Sequence, residues 1–117
     1  MRVLLAVILF VLIGCATSLP VRDAKDVMGV WRGRVLGPLG HGTATLTVHE
    51  DGAYTGTLYL DGGDREFSGR LTVVGRQVRF LDTGGTGTVT LDESAGRRVL
   101  RFVNDGGGAV ATYSPAQ

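Results

Sequence analysis

The fold of this chain is decided by the stretch TATLTVHEDGAYTGTLYL, residues 43–60. Its first half alternates apolar residues with threonines, and its second half repeats this alternation as far as Leu60. A period of two is typical of a β-strand with one buried face. Between the two halves, the pair Asp51-Gly52 favours the positive φ of a tight turn. The stretch therefore predicts a β-hairpin with one apolar face.

The same alternation recurs on both sides of this hairpin. From Met28 onward the chain contains about eight short alternating runs, separated by breaks rich in glycine and aspartate. Connections this short cannot form parallel crossovers, so neighbouring strands pair antiparallel. We therefore predict an all-β fold over residues 28–117, a small antiparallel up-and-down barrel of about eight short strands that closes without free edges. A two-sheet sandwich is the alternative.

The composition is that of one small globular domain. The 117 residues are 44 % hydrophobic and 20 % charged, and the formal net charge is +1. A protein that binds nucleic acid would carry a strong basic excess or a basic stripe, so we expect no nucleic-acid partner. The single cysteine, Cys15, excludes an intramolecular disulfide, so the domain depends on its core for stability.

The N-terminal segment has the pattern of a secretory signal. Arg2 gives it a positive start, and residues 3–13 form an unbroken apolar run of 11 residues. A membrane-spanning helix needs about 20 residues, whereas the core of a signal peptide is about as long as this run. We therefore predict a signal helix within residues 1–14.

The signal ends in Leu12-Ile13-Gly14-Cys15, which resembles the lipobox of bacterial lipoproteins. The resemblance implies cleavage before Cys15 and a diacylglycerol on its sulfur, with acyl chains such as palmitate that anchor the mature chain to a membrane. Several acyl chains anchor a protein stably, whereas a single chain does so only marginally. Ala16 at the second mature position implies the outer membrane of the cell envelope, facing the periplasm. Residues 15–27 then form the lipidated cysteine and a tether.

Gly29-Val30-Trp31 resembles the Gly-x-Trp start of the calycins, the group that contains lipocalins, fatty-acid-binding proteins and avidins. The stretch DGAYTGT, residues 51–57, is similar to the second hairpin of avidin-like barrels. The resemblance implies a lipocalin-like barrel in which a basic residue of a late strand, Arg98 or Arg101, packs across Trp31. Avidins build their biotin pocket from several tryptophans, and this chain has one, so biotin is not an expected ligand.

The sequence shows no arrangement of residues for catalysis or metal binding. His41 and His49 flank one strand without a partner at a ligand spacing, and no serine lies in a Gly-x-Ser-x-Gly turn. The carboxylates cluster in predicted turns, and we expect none in an inward-facing position, where a catalytic acid would lie. We therefore expect no enzymatic activity, no cofactor and no metal site.

The predicted inner face is almost wholly apolar. An eight-stranded barrel has an interior that side chains just fill or that holds one small ligand. We expect a monomeric, non-catalytic binding module for a small apolar or amphiphilic ligand. The candidate contact residues are Trp31, Tyr54, Leu58, Phe67, Phe80 and Phe102. The alternative is a filled barrel that meets an envelope protein through its outer surface, including a role like that of a protease inhibitor.

The predicted inner face also carries four glycines: Gly33, Gly56, Gly69 and Gly87. Inward glycines either remove side-chain volume and open a cavity, or permit a sharp bend in the strand. We favour the bend.

Overall fold

The computed structural model describes residues 17–37, 40–83 and 85–116. Within these ranges β-strands dominate, and a 3₁₀ helix, Ala24–Val27, precedes the second strand. The strands are β1 (Thr17–Leu19), β2 (Gly29–Gly37), β3 (Gly40–Val48), β4 (Ala53–Leu60), β5 (Gly63–Val74), β6 (Gln77–Asp82), β7 (Gly85–Ser94), β8 (Arg97–Asn104) and β9 (Val110–Pro115). The predicted signal helix and Cys15 lie outside the described residues. In the described ranges, no helix has the length and apolar character needed to cross a membrane.

Strands β2 to β9 form a closed barrel. Each pairs antiparallel with the next strand in the chain, and β9 returns to pair with β2. The predicted all-β, up-and-down barrel is thereby confirmed, and the sandwich alternative is wrong. Closure follows from the alternation because strands with one apolar face bury that face completely, and lose both edges, only when the first and last strands meet.

Strand β5 is longer than the sequence pattern indicates. It has 12 residues because its first part pairs with β4 and its last part pairs with β6. Only Gly69 and Arg70 pair with both neighbours. Such an offset between the two ladders is the stagger that tilted strands need in order to close a barrel.

Residues 17–27, which the sequence assigns to a tether, contact the barrel. β1 pairs with β7 from Thr17–Glu93 to Leu19–Leu91, beyond the part of β7 that pairs with β6. The 3₁₀ helix ends in Val27, whose side chain is fully buried. A strand of 3 residues and a helix of 4 residues are too short to produce a hydrophobic period, so neither is visible in the sequence pattern.

One end of the barrel is filled around Trp31. The indole is 2 % exposed, and its Nε1 donates a hydrogen bond to the backbone oxygen of Val27 at 2.9 Å. The guanidinium of Arg98 lies 5.2 Å from the centre of the indole ring, and its Nη2 donates to the backbone oxygen of Asp26 at 3.0 Å. Of the two arginines that the calycin resemblance allows, Arg98 therefore covers Trp31, and Arg101 is exposed. A cation over an indole face stabilises such a pair by about 0.5–1 kcal/mol, and by more where water is excluded.

A layer of aliphatic side chains continues the filled end towards the middle of the barrel. Its members are each at most 5 % exposed, and they are Leu46, Val48, Leu71, Val78, Val89, Leu91 and Leu100. Burial of one such side chain contributes roughly 1.5–3 kcal/mol. We call this half of the barrel, together with Trp31 and the 3₁₀ helix, the closed end.

At the four inward-facing glycines the neighbouring backbone comes very close. A Cβ atom at any of them would collide with a backbone oxygen of the adjacent strand; the four are Gly33, Gly56, Gly69 and Gly87. The rings of Phe67 and Phe80 also lie against Gly56 and Gly87, where a side chain would displace them. Glycine therefore allows the neighbouring strand to approach closely at these four positions. At Gly56 and Gly87 it also leaves room for an aromatic ring.

Candidate ligand-binding cavity

The opposite end of the barrel is open and holds a cavity of about 500 Å³. The last residues of β2, β4, β6 and β8 and the first residues of β5 and β9 line it. Its apolar wall consists of Val35, Leu58, Leu60, Phe67, Phe80, Phe102, Val110 and Ala111. Sites for small molecules have volumes of roughly 300–1,000 Å³ and mostly apolar walls. The barrel is therefore filled at one end and hollow at the other.

An aromatic cluster lies between the closed end and the cavity. Phe102 is at its centre, with ring centroids 5.6 Å from Tyr54, 5.2 Å from Phe80 and 5.6 Å from Tyr113. Tyr54 also makes an edge-on contact with Phe67, at 6.4 Å between centroids. The three contacts that Tyr54 and Tyr113 make are edge-to-face, which aromatic quadrupoles favour at these distances, and the Phe80–Phe102 pair is tilted. All members of the cluster line the cavity, so one part of its wall is aromatic.

The carboxylate of Asp82 faces the cavity from the end of β6. The Tyr54 hydroxyl donates a hydrogen bond to Asp82 Oδ2 at 2.7 Å. Tyr54 pairs with Gly69 on β5, and Gly69 pairs with Asp82, so this bond passes over one intervening strand. A Cβ at Gly69 would lie 2.6 Å from the Tyr54 hydroxyl oxygen, so glycine is needed for the contact.

The two buried tyrosines of the cavity have perturbed acidities. Burial, and then the hydrogen bond and negative charge of Asp82, raise the pKa of Tyr54 above that of an ordinary tyrosine. Burial and the charge of Asp82 likewise raise the pKa of Tyr113. Both phenols therefore remain protonated at neutral pH, and that of Tyr54 donates its hydrogen bond to Asp82.

Asp82 contradicts the expectation that no carboxylate faces inward, and that expectation was wrong. The sequence assigns Asp82 to the break after the fifth strand of the domain pattern. In the structure β6 runs as far as Asp82, and the period of two that buries Val78 and Phe80 places Asp82 on the same face. Asp82 follows Phe80 by two residues, and this spacing was the feature of the sequence that indicated an inward-facing side chain.

An ion pair on the outside fixes the start of the β8–β9 loop at the mouth of the cavity. Arg79 Nη1 donates to Asp105 Oδ1 at 2.8 Å, and the Thr86 hydroxyl donates to Asp105 Oδ2 at 2.8 Å. These bonds lower the pKa of the Asp105 carboxyl to about 2, from an ordinary value of 3.8. The Asp105 backbone N–H also donates to the Thr86 carbonyl oxygen at 3.1 Å. The loop that leads to the lining residue Ala109 is therefore held at its start by the hydrogen bonds of Asp105 to Arg79 and Thr86.

The structure brings most of the candidate contact residues together. Those that line the cavity are Tyr54, Leu58, Phe67, Phe80 and Phe102. Trp31 lies in the closed end and takes no part in the lining. The lining residues that sequence reasoning missed include Asp82 and Asn104, which bring polar atoms to an otherwise apolar wall.

Comparisons with known protein families, with curated proteins and with solved structures find no match to this chain. Over residues 17–37, 40–83 and 85–116, no three histidine, cysteine, aspartate or glutamate side chains are grouped as metal ligands would be. We therefore infer function from the cavity itself.

Proposed function

We propose that this chain is a membrane-anchored binding module of the cell envelope, and that its barrel holds a small apolar or amphiphilic ligand without chemical change. The observation that carries the proposal is the cavity of about 500 Å³ at the open end of the barrel. Its size suits a small molecule, and it opens to solvent between the strand ends, so a ligand has a path into it.

The chemistry of the walls supports an apolar or amphiphilic ligand. Leu58, Phe67 and Phe80 present carbon surface to the cavity, and covering such surface contributes about 25 cal/mol per Å². The wall also carries the Asp82 carboxylate and, at the rim, the exposed side chain of Arg65. An elongated molecule with an apolar body and one polar group matches this distribution.

The closed end supports the lipocalin-like character of the barrel. Trp31 stands at the start of the first barrel strand, and Arg98 from a late strand packs across it, as the calycin resemblance implies. A short 3₁₀ helix before the barrel closes the same end through the contact of Val27 with Trp31. A barrel closed at one end and open at the other is an architecture suited to enclosing a ligand.

The membrane anchor is the second part of the proposal, and it rests on the lipobox resemblance. We propose that residues 1–14 are removed as a signal peptide and that Cys15 carries lipid, in the outer membrane facing the periplasm. Intact-mass spectrometry of the chain purified from its native cells tests this directly. A mature chain that begins at Cys15 and carries the added mass of a diacylglycerol is expected; an unmodified chain starting at Met1 would refute the anchor.

A substitution that fills the cavity tests the binding function. Ala111 lines the cavity, and the next residue, Thr112, is exposed on the outside of the same strand. In the full chain held in phospholipid nanodiscs, octanol is titrated while the backbone amide shifts of lining residues are followed by NMR. We expect saturable shifts in the unsubstituted chain and in Thr112→Phe, and at least about a tenfold loss of affinity in Ala111→Phe.

Two further results would decide against the cavity. If octanol shifts no lining residue, or if both phenylalanine variants bind it equally well, the ligand does not enter the barrel. The filled-barrel alternative, with a function on the outer surface, would then be favoured. Native mass spectrometry of the chain from its own cells complements this assay, because a bound natural ligand would appear as a mass that is lost on activation.

A further inference from the structure

We propose that the barrel also binds an extended peptide segment, which adds as a strand to the first half of β5 and carries basic side chains at alternate positions. This surface is distinct from the interior cavity, so the proposal goes beyond the small-molecule function. It follows from three features of this part of the barrel: a stretch of β5 with one unpaired edge, a gap in the wall beside it, and two carboxylates on its outer face.

Strand β5 has a neighbour on both sides only in its second half. Residues 63–70 pair with β4, whereas the pairing with β6 begins at Gly69, opposite the last residue of β6. Among the described residues, no strand pairs with residues 63–68 on the β6 side. A strand edge of this kind presents backbone N–H and C=O groups and is a template for the addition of another strand.

The backbone groups at this edge belong to every second residue of β5. The Leu71 N–H donates to a backbone oxygen of the turn before β4, at 2.8 Å. In an antiparallel sheet the backbone groups of successive residues point alternately to the two sides, so Leu71 and every second residue before it bond to the β4 side. Asp64 and Glu66 alternate with these residues. Their backbone N–H groups therefore point away from β4, into the space beyond the end of β6.

The opposite end of β6 leaves a similar gap, and there the chain fills it by strand addition. β7 continues beyond its pairing with β6, and β1 pairs with residues 91–93 of this continuation. The gap beside the first half of β5 has no such segment in the part of the chain that the structure describes. A partner strand in line with β6 therefore completes the sheet at the open end, as β1 completes it at the closed end.

The wall of the barrel is interrupted beside this edge. Glu66, Phe67 and Thr83 line the interior cavity and also a second cavity of about 440 Å³. Threonines of β3 and β4 line the rest of the second cavity, which places it on the outer face of the sheet. Because the same three residues border spaces on both faces, the gap between β5 and Thr83 leaves room for a further backbone.

The outer face of this edge carries two carboxylates. Asp64 and Glu66 alternate with the inward-facing Phe67, so their side chains point outward, and both are exposed. Their cross-strand neighbours on β4 are Tyr59 and Thr57, which carry no charge. Within the described ranges neither carboxylate forms an ion pair. In a strand added antiparallel to β5, the residues directly opposite share this outer face, so basic side chains at those positions meet the two carboxylates.

The charges of the edge also determine which strands are excluded. A second copy of this chain, added antiparallel about a twofold axis, would bring the outer-face carboxylates of both copies together, and like charges opposite one another are destabilising. Charged side chains on an edge likewise oppose the addition of a wholly apolar strand. On the inner side the edge presents Arg65 and Phe67, beside which an uncharged apolar side chain fits. The partner is therefore a segment in which lysine or arginine alternates with apolar residues.

A blocked peptide of the sequence VKVKVKV tests the proposal on the full chain in nanodiscs of zwitterionic phospholipid, with NMR of the backbone amides as the measurement. In the free chain, we expect the amides of Asp64 and Glu66 to exchange their hydrogen rapidly with solvent. Those of Arg65 and Phe67, which bond to β4, should exchange slowly. The peptide should shift the Asp64 and Glu66 amides saturably and slow their exchange.

Two isomers of the peptide distinguish strand addition from general attraction of charges. One carries an N-methyl group on the central lysine and the other on the valine beside it. In an added antiparallel strand, the lysines that face Asp64 and Glu66 also direct their N–H groups to β5, whereas the valine N–H groups point away. We expect methylation of the lysine to weaken binding at least about fivefold and methylation of the valine to change it little.

The role of charge is tested by a double variant, Asp64→Asn with Glu66→Gln, which removes both carboxylates from the exposed face with little change in shape. We expect it to bind VKVKVKV about fivefold more weakly. The matched control is Asp92→Asn with Glu93→Gln on β7, which removes the same charge at the closed end and should retain the affinity. The acidic peptide VEVEVEV should bind the unsubstituted chain at least about tenfold more weakly than VKVKVKV.

Several results would overturn the proposal. If VKVKVKV shifts neither amide, or if its two methylated isomers bind equally well, no strand adds to β5. If the acidic peptide binds as tightly, or the double variant keeps full affinity, the partner is not a basic segment. If the Asp64 and Glu66 amides of the free chain are already protected and the chain sediments as a dimer, a second copy covers the edge. None of these results bears on the interior cavity, which is tested separately with octanol.

Discussion

Replacement of Trp31 by alanine should remove the side chain on which the closed end is built. The indole is 2 % exposed, donates a hydrogen bond to Val27 and lies under the guanidinium of Arg98. The substitution therefore leaves a void, deprives the Val27 carbonyl of its donor and uncovers one face of Arg98. Each of these changes lowers the free energy of unfolding.

The magnitude follows from the buried area. A large aromatic side chain buries roughly 150–250 Å². At about 25 cal/mol per Å², this area corresponds to about 4–6 kcal/mol. The alanine keeps one carbon of the side chain and the surroundings relax in part, so we expect Trp31→Ala to cost about 3–5 kcal/mol. Because small domains have a total stability of about 5–15 kcal/mol, this loss is large enough to unfold a substantial fraction of the protein.

Urea unfolding of the full chain, followed by far-ultraviolet circular dichroism, measures this cost. Fluorescence does not serve because Trp31 is the single tryptophan of the chain. Trp31→Phe keeps a ring but removes the N–H donor to Val27, and we expect an intermediate loss of about 1–3 kcal/mol. The control is Leu36→Ala, which is on the same strand with its side chain 51 % exposed, and which should change stability little.

One result would refute this account of the closed end. If Trp31→Ala costs less than about 1 kcal/mol, the indole contributes no more than a surface residue does. The burial of Trp31 and its contact with Arg98 would then contribute little to the free energy of unfolding, and the residues before the barrel would not close it.

Two further predictions concern the open end. Gly69→Ala places a methyl group against the Tyr54 hydroxyl, so we expect it to break the bond to Asp82 and to lower the melting temperature. The same change at Gly62, which has open space around it, should have little effect, and equal melting temperatures for the two variants would contradict the reasoning. The second prediction concerns the ion pair of Asp105 and its pH dependence. Because folding lowers the pKa of Asp105 from 3.8 to about 2, its stabilising contribution is present above about pH 4 and is lost as the pH falls towards 2. Thermal unfolding of Asp105→Asn should therefore differ from that of the unsubstituted chain at neutral pH and converge with it near pH 2; a constant difference would contradict the prediction.

The barrel was predictable because its strands alternate strictly. The hairpin over residues 43–60 shows both the period of two and the turn residues, and closure follows from the number of strands with one apolar face. The pairing of β1 with β7 was not predictable, because a strand of 3 residues has no measurable period. The extent of β5 was also hidden, since the offset between its two ladders depends on strand tilt and not on local sequence.

The cavity was predictable only in part, because alternation tells which face a residue occupies and not its height along the barrel. Trp31 and Phe80 share the inner face, yet Trp31 lies in the closed end and Phe80 lines the cavity. Height is set by the stagger of the strands, which emerges from all of the pairings together. Asp82 was a different case. Its spacing of two residues from Phe80 indicated the inner face, but its position beside a turn led to its assignment as a turn residue.

The pairing of the strands also determines how the molecule is oriented when one of its termini is attached to a support. Thr17 pairs with Glu93 at the far end of β7, and Pro115 pairs with Trp31, so the first and the last strand both leave the barrel at the closed end. A chain fixed to a support by either terminus therefore directs its opening away from that support. If the support is a bilayer, the opening of the cavity faces the aqueous compartment; if it is a sensor surface, the opening stays accessible to molecules in solution.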